Sequence, residues 1–387
     1  MIRLSFLLLC AIGLFGFLSY NLVRMPVLAL FADSLGAGPE RIGVVVSAST
    51  LTGVLLKLPS GALSDIYGRR LILRTGVLAF GLPPFFYPFV TDLEVLTGLR
   101  LVHGLATAVF APTAIATVAE MYQQRRGEAL GWYTASTRAG SLLGPVLGGW
   151  LVYAGGFPAT FVTAGVFGCI GVVLFFSLRL NPPPPRHPGQ SFRAVLSEMV
   201  RGLRQVARNA KVLVTSATDG AKMISNGALM AFLPIYGVSI GLNPGEVGAL
   251  FGVQGITSFA SRPGMGRASD RLGRRPLILL GLMICAGTFV LMPHVSGFSA
   301  LMLLAAGFGF GEAVVASSTS ALVADLLEPK ILGAGIGMQG MITDIGHASG
   351  PLLAGVLIAH IGYQQTFAAI AMIQVLAAVI FWAVIWR

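Results

Sequence analysis

The chain has 387 residues, of which 55% are hydrophobic and 11% charged, against roughly 25% charged residues in a soluble domain. That balance excludes an ordinary water-soluble enzyme and calls for lipid as solvent. The net charge of +11 invites a nucleic-acid reading, which the position of the basic residues rejects, because they gather in the loops on one side of a membrane.

A hydrocarbon core of about 30 Å needs about 20 apolar residues per helix, and twelve such segments follow one another. The first half gives spans 5–30, 42–64, 71–90, 95–121, 129–153 and 158–180. The second gives 211–237, 247–267, 276–293, 299–324, 331–359 and 365–386. The apolar run from Leu4 to Phe17 imitates a signal peptide, but it lacks a small-residue cleavage site and flows into further apolar sequence. It reads as an uncleaved first span.

With both termini inside, the inner loops collect Arg69, Arg70, Arg74, Arg125, Arg126, Arg267, Arg271, Arg274, Arg275 and Lys330. The outer loops offer Arg41 beside Asp33, Glu40, Asp92, Glu94 and Glu246. Compact loops point to a bacterial cytoplasmic (inner) membrane. Residues 181–210 form a cytoplasmic linker between an N-terminal bundle, 1–180, and a C-terminal bundle, 211–387. The linker opens with Pro182 to Pro185, which cannot continue a helix. It then spaces Phe192, Val195, Met199, Leu203 and Val206 on one face, with Arg193, Arg201, Arg204 and Arg208 elsewhere. That pattern suits a helix on an anionic leaflet; a merely solvated linker is the alternative.

Fifty glycines are many for soluble helices, but small residues let membrane helices approach closely. Cys10, Cys169 and Cys285 sit in apolar runs without ligand spacing, so neither a disulfide, a metal site nor a cofactor is expected.

The chain repeats itself. A shift of 205 residues carries Asn21 onto Asn226, Gly36 onto Gly241, Lys57 onto Arg262 and Gly61 onto Gly266. The same shift carries Asp65-x-x-Gly68-Arg69-Arg70 onto Asp270-x-x-Gly273-Arg274-Arg275. With one residue inserted, Gly144-Pro145 falls on Gly350-Pro351 and Arg138 on Asp344. An even number of spans per half makes the two repeats parallel.

The two inner-loop copies resemble the signature of the major facilitator superfamily, and the likeness covers nearly the whole chain. Gly68 and Gly273 permit positive φ in a tight turn, while the carboxylates and guanidinium groups can latch helix ends. In the fifth span, Gly140, Gly144, Pro145, Gly148 and Gly149 resemble the motif of the family's antiporters; tight packing alone explains them equally well. Arg100-x-x-His103-Gly104 resembles the family's intramembrane arginine motif, with His103 where glutamine is common. The resemblance, to the drug/proton antiporter-like branch, implies an all-α polytopic fold of twelve transmembrane helices in two pseudo-symmetric six-helix bundles.

Charges at membrane depth cost roughly 2.5–3.5 kcal/mol each on insertion scales, so each asks for a partner or a purpose. The first half contributes Arg24, Lys57, Arg100 and Arg138; the second contributes Asp219, Lys222, Arg262, Glu312 and Asp344. Glu312 lies about 13 residues into the tenth span, near the midplane, and is the first proton-carrier candidate. Asp344 with His347 three residues on is the second; a basic partner such as Lys57 or Arg138 would make it a permanent salt bridge instead. Arg100 and His103 complete the proton-coupling set, although His103 suits a packing role slightly better.

Asn21 and Arg24, three positions apart in the first span, are expected to face a cavity together. With Arg100, Arg138, Asn226 and Glu312 they are the substrate-cavity candidates. Arg24 suits a carboxylate or phosphate, or it neutralises Glu312. The family's cationic-drug antiporters often carry an acid in the first span; none lies in its membrane portion here.

Two further patterns mislead. Gly335-x-Gly337-x-x-Gly340 has no preceding strand to make a dinucleotide fold, and Gly237-Val-Ser239-Ile-Gly241 ends a membrane helix rather than forming a nucleophile elbow. The sequence therefore predicts a transporter and not an enzyme. It would be a monomeric secondary exporter working with protons, a small amphiphilic or organic-anion solute and membrane lipids, without nucleic acid. Uptake of an anionic nutrient, and a receptor without turnover, are the alternatives.

Overall fold

The structure is a computed structural model that describes residues 2–180, 192–328 and 330–386. The Pro182–Pro185 run, the first part of the linker and the side chain of Val195 lie outside the described residues.

Helices account for every regular element among them. In lipid only a helix or a closed barrel satisfies each backbone polar group within the segment. The first crossing is α1 (Ile2–Arg24) continued by α2 (Val27–Ser34), interrupted where Pro26 removes a backbone donor. Next come α3 (Pro39–Tyr67) and α4 (Arg69–Gly81), the latter extended by a 3-10 segment at Pro83–Phe89 whose three prolines forbid an α ladder. α5 (Leu93–Met121) and α6 (Arg126–Ser177) complete the first half. The linker helix α7 (Phe192–Val206) leads to α8 (Ala210–Ser239), α9 (Pro244–Leu272), α10 (Arg274–Leu291), α11 (Phe298–Asp325) and α12 (Leu332–Ile385).

Among the described residues, eight stretches are long and apolar enough to cross a membrane. At 52 and 54 residues, α6 and α12 would each run about 80 Å if straight, more than twice the hydrocarbon core. Each instead breaks at a glycine with non-helical backbone, Gly156 and Gly362, both at φ 74°. They therefore supply two crossings each, and the more polar α8 and α9 bring the total to twelve. The broken glycines are themselves repeat partners, like Gly68 and Gly273 at φ 88° and 94°.

The helices form two compact units. One comprises Met1–Ala37 with Ala48–Leu196, the other Gly38–Ser47 with Ser197–Arg387. In the first, α1 lies along α6. A Cβ on Gly144 would stand 2.7 Å from Asn21 Cβ, one on Gly148 2.5 Å from the Leu22 carbonyl, and one on Gly140 would meet the Leu14 carbonyl. The antiporter-like motif is thus a packing seam in which the missing side chains bring two backbones together. Hydroxyl groups add to it: Ser19 Oγ donates to the Phe80 carbonyl at 3.1 Å, and Ser136 Oγ to the Cys10 carbonyl at 2.7 Å.

In the second unit α8 lies along α12 by the same device, with Gly346 against the Gly220 carbonyl and Gly350 against the Ile224 carbonyl. The start of α3 seats on the same helix, Ser47 Oγ donating to the Ala348 carbonyl at 2.7 Å.

The amphipathic linker helix differs in part from a helix laid on lipid. Its last apolar residue, Val206, is fully buried against Val212 and Val323, flanked by Leu326, Leu327, Ala334 and Met338. Protein covers that end of the apolar face, because α7 must turn at Asn209 directly into α8, whose first N–H groups (Lys211 and Val212) donate to the Asn209 side chain.

Gly144→Val is expected to lower the melting temperature of the purified protein, overpacking costing about 1–3 kcal/mol. Gly131→Ala, where a Cβ meets nothing within 4 Å, is expected to leave it unchanged; equal melting of the two variants would contradict the seam.

Candidate functional site

Three polar constellations stand out, and the inner-loop motif is the simplest. Gly68 and Gly273 take left-handed backbone that lets α3 and α9 end and the next helix start at once. Arg69 then reaches back to Asp65 and Ser64 and across to Glu120 at 2.8 Å. Arg274 repeats this with Asp270, Ser269 at 3.4 Å and Asp325 at 3.1 Å. Glu120 at the end of α5 and Asp325 at the end of α11 hold equivalent places in the two latches. The second arginine of each motif, Arg70 and Arg275, is exposed and makes no ion pair among the described residues. The two latches differ in burial: the Arg69 side chain is 5% exposed, that of Arg274 23%.

The second constellation surrounds Arg100 on α5. Its side chain is fully buried, with Nη2 donating to Ser49 Oγ at 2.6 Å and Nη1 to Tyr87 Oη at 3.3 Å. The guanidinium carbon lies 5.5 Å from the Tyr20 ring centre. His103, one turn on, is also fully buried, its Nδ1 3.1 Å from Tyr87 Oη and 3.3 Å from Arg100 Nη1. No carboxylate among the described residues pairs with Arg100. An arginine does not deprotonate in a protein, so this is a fixed charge met by neutral oxygens and a π face.

The third constellation lies in the second unit. Glu312 on α11 is half-buried, Oε1 accepting from Asn226 Nδ2 at 2.8 Å and Oε2 from Gln254 Nε2 at 3.2 Å. A turn from Asn226 on α8, Lys222 Nζ pairs with Asp219 Oδ1 at 2.7 Å, both side chains under 10% exposed. Asp219 Oδ2 also accepts from Gln339 Nε2 of α12 at 3.2 Å, and that amide lies 3.3 Å from both Thr319 Oγ1 and Ser320 Oγ.

Asn21 and Arg24 donate to different neighbours. Asn21 is buried and donates to the Phe17 carbonyl at 2.8 Å and to Ser141 of α6 at 3.4 Å, whereas Arg24 Nη2 donates to Thr50 of α3 at 3.0 Å. Arg138 is exposed on α6; Asp344 is half-buried and His347 buried on α12. Sequence reasoning left out Ser49, Tyr20 and Tyr87 around Arg100, Gln254 at Glu312 and Gln339 at Asp219, and it named Asp219 and Lys222 without pairing them. One signal was available: Asp219 and Lys222 stand at i,i+3, the spacing of a helical ion pair.

The family model described as Major Facilitator Superfamily matches residues 6–221 and again 220–387. The chain belongs to the Major Facilitator Superfamily. Its curated relatives include Multidrug resistance protein MdtG of Escherichia coli, 25% identical over 94% of this chain and 90% of that protein. An uncharacterised MFS-type transporter of Methanocaldococcus jannaschii is 21% identical over 92% of each chain. Among solved structures, the nucleoside transporter NupG superposes with TM-score 0.81, 16% identity and 98% coverage of each chain. A bacterial homologue of the human lysosomal transporter Spinster gives TM-score 0.81, 14% identity and 98% and 96% coverage. At these identities the structures show the fold alone: an all-α major facilitator fold. The protein is thus an integral membrane transporter of small-molecule solutes, not an enzyme.

Arg69→Gln is expected to lower the melting temperature more than Arg274→Gln, because losing a buried charged hydrogen-bond donor costs about 1–3 kcal/mol and solvent compensates the exposed one. Arg70→Gln is expected to change nothing. A scan in which Arg70→Gln matches Arg69→Gln would contradict the latch.

Proposed function

We propose that the protein is a secondary active exporter that exchanges protons for a small amphiphilic or organic-anion solute by alternating access. The setting is a bacterial cytoplasmic membrane with the basic loops inside. The observation that carries this reading is Glu312, a half-buried carboxylate near the middle of a membrane helix, held by two neutral amides and no cation in direct contact. A charge there is costly and neutralising it by a proton relieves the cost, so proton loading changes the relative energy of two conformations. The likeness to a multidrug resistance protein and the glycine motif of the fifth span favour export of an amphiphile.

The test uses proteoliposomes with labelled norfloxacin as a zwitterionic amphiphile and labelled salicylate as an organic anion. A pH gradient is expected to drive accumulation of at least one probe. Glu312→Gln is expected to abolish the gradient-driven part and retain solute exchange at equal pH. Transport indifferent both to the gradient and to Glu312→Gln sinks the coupling, and flux in the uptake direction under a physiological gradient sinks export.

A further inference from the structure

Asp219 and Glu312, two acids of the second unit, have partners that differ in kind. Asp219 is bound by the Lys222 ammonium at 2.7 Å, with the Gln339 amide on its other oxygen. An ammonium can only donate. If Asp219 took up a proton, Lys222 would be left as an uncompensated charge, 3% exposed. Removing one partner of a buried pair is strongly unfavourable. Glu312 is bound only by the Asn226 and Gln254 amides, one on each oxygen. An amide both donates and accepts, so a half-turn of either group converts it from donor to the carboxylate into acceptor for the carboxylic acid. Glu312 is also the less enclosed of the two acids.

The geometry points to a division of labour between these two acids: Asp219 is the fixed counter-ion of Lys222, and the reversible amide clamp of Asn226 and Gln254 makes Glu312 the one that exchanges its proton. Lys222 is then a positioning residue. It pairs with Asp219 and places a positive charge near Glu312. The groups facing Glu312 from the helices packed on α11 are Lys222 and Asp219 of α8 and the Cys285 thiol of α10. α9 presents the neutral Gln254 and carries Arg262 two turns on, and α12 presents Gln339 and carries Asp344 and His347. This assignment rests on the proton-exchange reading above and names its chemistry.

The experiment is infrared difference spectroscopy of the wild-type protein in lipid, titrated across the pH range in which the protein stays folded. It needs no transported solute. A protonated-carboxyl band is expected that shifts when glutamate side chains carry carbon-13, stays when aspartate side chains do, and vanishes in Glu312→Gln. The paired variant Asp219→Asn/Lys222→Gln removes both charges together and is expected to keep the band. A band that moves with labelled aspartate, or disappears in the paired variant, overturns the assignment while leaving proton exchange standing. No band in wild type at any pH overturns both.

Discussion

A charge placed in hydrocarbon must be satisfied by other groups of the same protein, because water is not there to do it. Everything distinctive in this chain follows from how few such charges it keeps and what it gives each one. Arg100 receives a serine hydroxyl, a tyrosine hydroxyl, a histidine nitrogen and an aromatic face. Lys222 receives a carboxylate. Glu312 receives two amides. The first two arrangements fit one charge state. The third fits two, which is the ground for proposing Glu312 as the exchangeable charge.

The scaffold that presents these groups is built by subtraction. Glycines on α6 and α12 remove side chains so that α1 and α8 pack backbone to backbone, which fixes the position of Asn21 in one unit and brings Asn226 beside its neighbours in the other. The latches at Arg69 and Arg274 act at the helix ends, where charged groups compete with water. The more exposed Arg274 latch is therefore the more open to screening by salt.

Much of the fold was legible because membrane helices are read by length and apolarity, and a repeat in strict register announces two halves. The twelve spans, the turns at Gly68 and Gly273 and the first members of each latch follow from that. What stayed hidden were neutral partners. Ser49 and Gln254 occupy equivalent repeat positions, and one serves Arg100 while the other serves Glu312; a serine or glutamine in a long helix carries no charge to flag it. Asn21 and Arg24 misled for a related reason: spacing on one helix does not say which neighbour each residue meets. The end of the linker helix was hidden too, since an apolar stripe reads alike whether protein or lipid covers it.

The central claim is that solute movement is tied to proton movement through the second unit. The most direct measurement follows a preset pH gradient across wild-type proteoliposomes with an internal pH indicator while norfloxacin or salicylate is added outside. The account predicts that a transported probe collapses the gradient in wild type and leaves it intact in Glu312→Gln. Labelled probe crossing the membrane while the gradient stays untouched in wild type would contradict it.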